Sequence, residues 1–172
     1  GEACHVPGEG DRLQGLDAAN RRLIAFPQER RPEASATLDL DATILESDKR
    51  AAEPTYDGRL GYQPVIVLWA EQDVVPAEEV RDGDVPAGTG NGRPVARAIA
   101  NLPPGITRIR VRADSAAYEH ALLRDLEDAG HGCAISADMS RELAAAIATR
   151  PEGDWHLEGE DGDALRHWAG VP

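Results

Sequence analysis

Two carboxylates set in the middle of an apolar strand pattern constrain this chain more than any other feature. In Ala36-Thr37-Leu38-Asp39-Leu40-Asp41-Ala42-Thr43-Ile44-Leu45 the alternation puts Leu38, Leu40 and Ala42 on one face of a strand and Asp39, Asp41 and Thr43 on the other. Such a strand is expected at the centre of a sheet. Like charges at i, i+2 on one face repel each other and resist desolvation, so a cation, a proton or a hydrogen-bond donor has to compensate them. Two readings follow: a metal or phosphoryl site, or a face that looks into solvent.

The chain has 172 residues, enough for one α/β domain with a sizeable core and too few for two. Its net charge of −13 opposes approach to a nucleic-acid backbone, so any DNA contact needs help from other segments. Cys4 and Cys133 stand far apart without a CxxC or His-rich partner, which suggests neither a zinc site nor a disulfide framework. The longest apolar run, Val65 to Ala70, is far below the roughly 20 residues that span a bilayer, and no signal-peptide pattern opens the chain. A cytoplasmic protein with no membrane partner is expected.

Residues 1–10 read as a loose end. From Asp11, Leu13, Leu16, Leu23 and Ile24 recur at helical spacing, predicting a helix that stops before Pro27; a charged linker over 28–34 follows. Beyond the Asp39/Asp41 strand and the turn-like Asp57-Gly58, a hairpin is expected from strands at 61–70 and 74–80, with Pro76 confining the second to an edge. The glycine-rich stretch 81–92 lacks the pattern of a phosphate cradle and reads as a loop. A short helix over 94–101 precedes an apolar-basic strand at 106–112, which runs into Asp114-Ser115 and a helix carrying Leu122, Leu123 and Leu126. Asp114 falls at the carboxyl end of its strand, where α/β sheets bind ligands, and Ser115 is placed to cap the next helix. A buried strand at 132–136 and an alanine-rich helix at 140–149 complete the alternation. The predicted organisation is an N-terminal helix and linker (1–36), a core (37–150) and a tail (151–172).

This order of elements resembles the RNase H-like (retroviral-integrase-like) fold, a mixed sheet with flanking helices. The strings LDLDAT at 38–43, GYQP at 61–64 and RIRVRADSAAY at 108–118 resemble the catalytic core of DDE transposases of bacterial insertion sequences, the transposase DDE domain group 1 kind, over roughly residues 10–150. The resemblance implies metal-dependent DNA strand cleavage and transfer, with Asp41 and Asp114 as the first two acids and as ligands of Mg2+ or Mn2+. Asp39, Thr43 and Ser115 would support them. Hard carboxylate oxygens suit these ions, and a metal pair about 3.5–4 Å apart serves both the attacking and the leaving oxygen. The family's third acid is a Glu after a β-rich insertion, within which this chain is expected to end. Glu142, Glu158 and Glu160 are present, and the third role is assigned to none of them. The implied partner is DNA, at transposon ends and mainly through other segments; a homodimer is left open. By itself the chain is expected neither to cleave nor to join DNA efficiently.

Asp39-Leu40-Asp41-Ala42-Thr43 after an apolar strand also resembles the first motif of haloacid-dehalogenase-like phosphatases. There Asp39 would be the nucleophile and Asp41 the general acid/base, with Ser136 imitating the second motif. Lys49 is the only lysine that could serve that scheme. An inactive remnant or interaction domain is the third alternative.

Overall fold

The alternation that opens the sequence argument is realised as β1 (Ser35–Ala42), whose side chains are by turns buried and accessible along the strand. The computed structural model describes residues 11–161 and 164–168, and the chain divides into two compact units, Gly1–Ala137 and Asp138–Pro172. In the first, α1 (Asp11–Arg30) precedes β1, followed by β2 (Leu45–Glu46), β3 (Glu53–Pro54), β4 (Leu60–Tyr62), β5 (Val65–Trp69), β6 (Val74–Glu79) and α2 (Gly92–Asn101). Then come β7 (Arg108–Ala113), a 3-10 turn (Ser115–Ala117), α3 (His120–Asp128) and β8 (Gly132–Ile135). The second unit holds α4 (Arg141–Thr149), a 3-10 turn (Glu152–Asp154) and an antiparallel pair, β9 (His156–Asp161) and β10 (Ala164–Trp168).

Five strands form one mixed sheet in the order β6-β5-β1-β7-β8. β1 is antiparallel to β5 and parallel to β7, β5 and β6 are antiparallel, and β7 and β8 are parallel. With its flanking helices this is the RNase H-like arrangement. β1 is central as expected, and the Pro76-bearing strand is outermost. Pro76 lies where the β5–β6 register shifts, a position that asks no ladder hydrogen bond of a residue without an N–H.

Register builds the core. Leu38 stands between Trp69 and Val111, and Leu40 between Val67 and Ala113. These side chains meet Ile24 of α1, Val95 and Ala98 of α2, and Leu122 and Leu126 of α3 in a single apolar cluster. The opposite face of the two central strands carries Thr37, Asp39 and Asp41 beside Arg108, Arg110 and Arg112.

Several boundaries differ from those read in the sequence. β1 stops at Ala42, because the next amide, Thr43 N–H, donates to the Pro64 carbonyl (3.0 Å) as the chain leaves the sheet. The stretch 61–70 is two strands in different sheets: Gln63 N–H donates to the Arg81 carbonyl (2.9 Å), and β4 pairs with β2 and β3 in a separate three-stranded sheet. The strand at β8 is largely exposed, being the sheet's other edge. α1 runs through Pro27 to Arg30. A proline inside a helix costs about 3 kcal/mol, and here the last turn is tied down by tertiary bonds. Gln28 Nε2 donates to the Glu33 carbonyl (2.8 Å) and Glu33 N–H to Gln28 Oε1 (3.0 Å), while the Arg31 guanidinium donates to the Glu71 carbonyl (2.6 Å).

Gly15 sits in the same helix with nothing within 4 Å of where a Cβ would be. Gly15→Ala is therefore expected to stabilise the protein by about 0.5–1 kcal/mol through reduced chain entropy, read as a higher urea midpoint at unchanged slope.

Candidate active site

Two successive positions on the polar face of β1, Thr37 and Asp39, each have a neighbour to answer them. Thr37 meets Glu71 from the β5–β6 turn: its N–H donates to Oε2 (2.8 Å) and its hydroxyl to Oε1 (2.6 Å). Burial pushes the Glu71 carboxyl up, and the two Thr37 donors outweigh it, so the group titrates below its ordinary value. Asp39 meets Arg112, opposite it in the parallel register, through two bonds of 2.6 Å, Nε to Oδ1 and Nη2 to Oδ2. These bonds raise the affinity of the guanidinium for its proton and supply the compensation that a carboxylate flanked by another demands.

Asp41 is different. The last paired positions of β1 and β7 are Leu40 and Ala113, so the next residues on the two strands are Asp41 and Asp114. Neighbouring strands lie about 4.8 Å apart, and the Asp39–Arg112 pair one pleat earlier confirms that side chains of this face meet across the ladder. Here the neighbouring strand offers a second carboxylate instead of a cation. Both acids are exposed, at the carboxyl ends of adjacent strands.

Asp114 itself caps the 3-10 turn: with extended backbone (φ −79°, ψ −178°), its Oδ1 accepts from Ala116 N–H at 3.0 Å. Ser115, expected as the cap of the following helix, lies inside that turn. The residue at the start of α3 is Glu119, whose carboxylate accepts from Gly90 N–H (3.3 Å) and Asn91 N–H (2.9 Å) at the start of α2. Thr43 is exposed one residue beyond the end of β1. Among the described residues, no hydrogen bond links Thr43 or Ser115 to either acid.

The donor set fits part of a site for a hard divalent cation, since Asp41 and Asp114 each directly follow the last residues paired between β1 and β7 and one oxygen of Asp114 is engaged by its turn. No group of three or more His, Cys, Asp or Glu that could hold a metal occurs among the described residues. Glu142 lies in the first turn of α4 in the second unit, and the side chains of Glu158 and Glu160 lie outside the described residues. Asp39, the residue that would be the nucleophile in the phosphatase alternative, has both oxygens engaged by Arg112.

Beside Asp114 opens a cleft of about 590 Å3. Ala42 and Asp114, Thr55 and Tyr56, and the loop 83–88 line it. Its walls are held closely. A Cβ on Gly83 would lie 2.4 Å from the Glu53 carbonyl oxygen and 2.7 Å from that of Gly61, so only glycine lets the loop pass so near β3 and β4. Behind the loop, the buried Arg81 donates to Glu79 Oε1 (2.8 Å), to the Thr89 carbonyl (2.7 Å) and to the Gly90 carbonyl (3.1 Å). No local pattern marks Tyr56 or Arg81 for these roles; Arg112 was legible as one of three arginines alternating along β7.

Strand order and direction define an RNase H-like core. No family model and no curated protein matches the sequence. Solved structures similar to the chain include a piggyBac transposase synaptic complex with hairpin DNA (TM-score 0.47, 12% identity, covering 88% of this chain and 36% of that one). The catalytic domain of Mos1 mariner transposase is also similar (TM-score 0.44, 13% identity, 85% and 77%), as is the Mos1 paired-end complex with Mn (TM-score 0.42, 13% identity, 87% and 52%). The chain thus spans about a third of the piggyBac transposase chain. No described helix is long and apolar enough to cross a membrane.

Proposed function

We propose that this chain is the catalytic-core portion of a DDE transposase of the insertion-sequence kind, acting on DNA by metal-dependent phosphoryl transfer. The observation that supports the reading is the register, in which Asp41 and Asp114 directly follow the last paired residues, Leu40 and Ala113, at the carboxyl ends of two central strands. Mg2+ or Mn2+ held there would supply Lewis-acid activation of a phosphoryl oxygen and of the attacking hydroxyl. Asp41 and Asp114 hold the ion, and the 3-10 turn fixes the Asp114 carboxylate through Ala116 N–H. Asp39 keeps Arg112 on the same face, where Arg108, Arg110 and Arg112 form an exposed basic row on an otherwise acidic protein. That row is where a phosphate backbone meets least repulsion.

The test is thermal unfolding during a titration with Mn2+ and with Mg2+. A ligand that binds only the folded state stabilises it by about 1.4 kcal/mol at tenfold over its Kd, a rise of about 3–6 °C for a chain of this size. Two carboxylates bind weakly, so the series extends to tens of millimolar, on the order of ten times a millimolar Kd. Asp41→Asn and Asp114→Asn should each abolish the rise. A wild-type protein indifferent to metal, or Asn variants that respond as the wild type does, would refute the reading.

A further inference from the structure

An asparagine at the N-cap of a helix ordinarily turns its side chain onto the helix's own free N–H groups. Asn91 caps α2 and makes no such bond. It is fully buried instead, and its amide reaches away from the helix. Nδ2 donates to the Ala87 carbonyl (2.8 Å) and to the Ala117 carbonyl (3.5 Å), while Oδ1 accepts from the Arg81 guanidinium (3.2 Å). Ala117 is the last residue of the 3-10 turn that Asp114 caps. Two further contacts join the glycine-rich loop to that turn. Gly88 lies so close that a Cβ on it would stand 3.1 Å from the Ala116 carbonyl oxygen. Glu119, two residues past the turn, accepts from Asn91 N–H (2.9 Å). A three-residue 3-10 turn is weak by itself, so the groups that grip its carbonyls decide how firmly it stands.

We infer that Asn91 is a positioning residue for Asp114: by gripping the carbonyl end of the turn, it fixes the carboxylate in the orientation that takes a divalent cation. This rests on the reading of Asp41 and Asp114 as a metal site. The path between the two residues is short. Ala116 N–H holds Asp114 Oδ1, and the carbonyls of Ala116 and Ala117 are the ones that Gly88 and Asn91 meet. Among the described residues no hydrogen bond engages Asp114 Oδ2, which is the oxygen left for a metal. Without the Asn91 amide the turn frays, the carboxylate swings, and the cation has to order its own ligand. Groups that orient a ligating side chain in this way typically alter metal affinity by about 10-fold to 100-fold.

The experiment makes two measurements on the whole chain: Mn2+ binding, by loss of the free ion's paramagnetic resonance signal, and, without metal, hydrogen exchange at the Ala116 amide relative to that of Val111 in β7. Asn91→Ala should raise the Mn2+ dissociation constant by about 10-fold and speed Ala116 exchange relative to Val111. Gly88→Ala removes no side-chain hydrogen bond, but its Cβ presses on the Ala116 carbonyl. It should move both readouts in the same direction, and it decides the matter if Asn91→Ala fails to fold. Leu126→Ala is the control. It opens a cavity beneath the last turn of α3, so it should lower the melting temperature while keeping the wild-type Mn2+ affinity and exchange ratio. Wild-type affinity in Asn91→Ala and Gly88→Ala, or an equal loss of affinity in Leu126→Ala, would overturn the positioning role. The two readings fail separately. Mn2+ bound equally by the wild type and both loop variants removes the positioning alone, whereas faster Ala116 exchange in variants of a protein that binds no Mn2+ removes the metal site and leaves Asn91 as the holder of the turn.

Discussion

Trp69→Ala is expected to cost about 3–5 kcal/mol, a large part of the stability of a domain this size. Trp69 is completely buried, stands opposite Leu38 of β1 and Val74 of β6, and is among the largest fully buried side chains. Removing it leaves a void between the strand that bears Asp41 and the edge of the sheet, and a close-packed core refills such a void only in part. Ile66, on the same strand but on the opposite face and 37% exposed, is the control: Ile66→Ala should cost well under half as much. Urea unfolding of both variants decides the matter, and a Trp69→Ala loss below about 1 kcal/mol would contradict the packing described.

Arg81→Ala should cost about 3 kcal/mol. Its side chain is 5% exposed, and removing one member of a buried ion pair typically costs about 3–5 kcal/mol. The lower end applies because Glu79 keeps its second partner, Arg93, at 2.7 Å. The variant also orphans the Thr89 and Gly90 carbonyls that the guanidinium satisfies. A pH dependence comes with this. Burial pushes the Glu79 carboxyl up, Arg93 and Arg81 pull it down further, and the net shift is below the ordinary 4.5. A depressed folded-state value means stabilisation present above pH 4.5 and lost as the pH falls through the folded value. The gap between wild type and Arg81→Ala should accordingly narrow in acid. An equal gap at pH 7 and at about pH 3 would show that Glu79 draws nothing from Arg81.

Much of this architecture was legible because period-2 and period-3.6 patterns coincided with burial. The alternation of Leu38 and Leu40 with Asp39 and Asp41 marked the central strand, Pro76 marked the edge, and the row of arginines at 108, 110 and 112 marked the strand that pairs parallel with it. Local pattern failed where distant groups decide. Pro27 reads as a helix stop, but Gln28 and Arg31 are held by bonds to residues beyond the helix, which carry α1 onward. Gly61-Tyr62 and Val65–Trp69 read as one apolar run, but Pro64 and the carbonyl of Arg81 separate them into two sheets. The Asp39–Arg112 pair joins residues 73 apart, and no spacing rule reveals such a partner. The cleft and its tyrosine depend on glycines whose necessity appears only when the opposing carbonyls are in place.

The parallel pairing of β1 with β7 also sets an order in time. β5 and β6 are joined by a short turn, which closes cheaply and early, whereas β7 must return across a long connection containing α2 before it can dock on β1. At about 5–20 residues per second, a ribosome needs several seconds to pass from Asp41 to Asp114. Throughout that interval the nascent chain carries β1 with one edge unpaired, and Leu38 and Leu40 lie along it. An open apolar edge is what another strand, from the same chain or a neighbouring one, would add to. Docking of β7 closes the edge and, under the proposed function, is the same event that would bring Asp114 to Asp41, so a chain that has not finished folding would have no carboxylate pair to load.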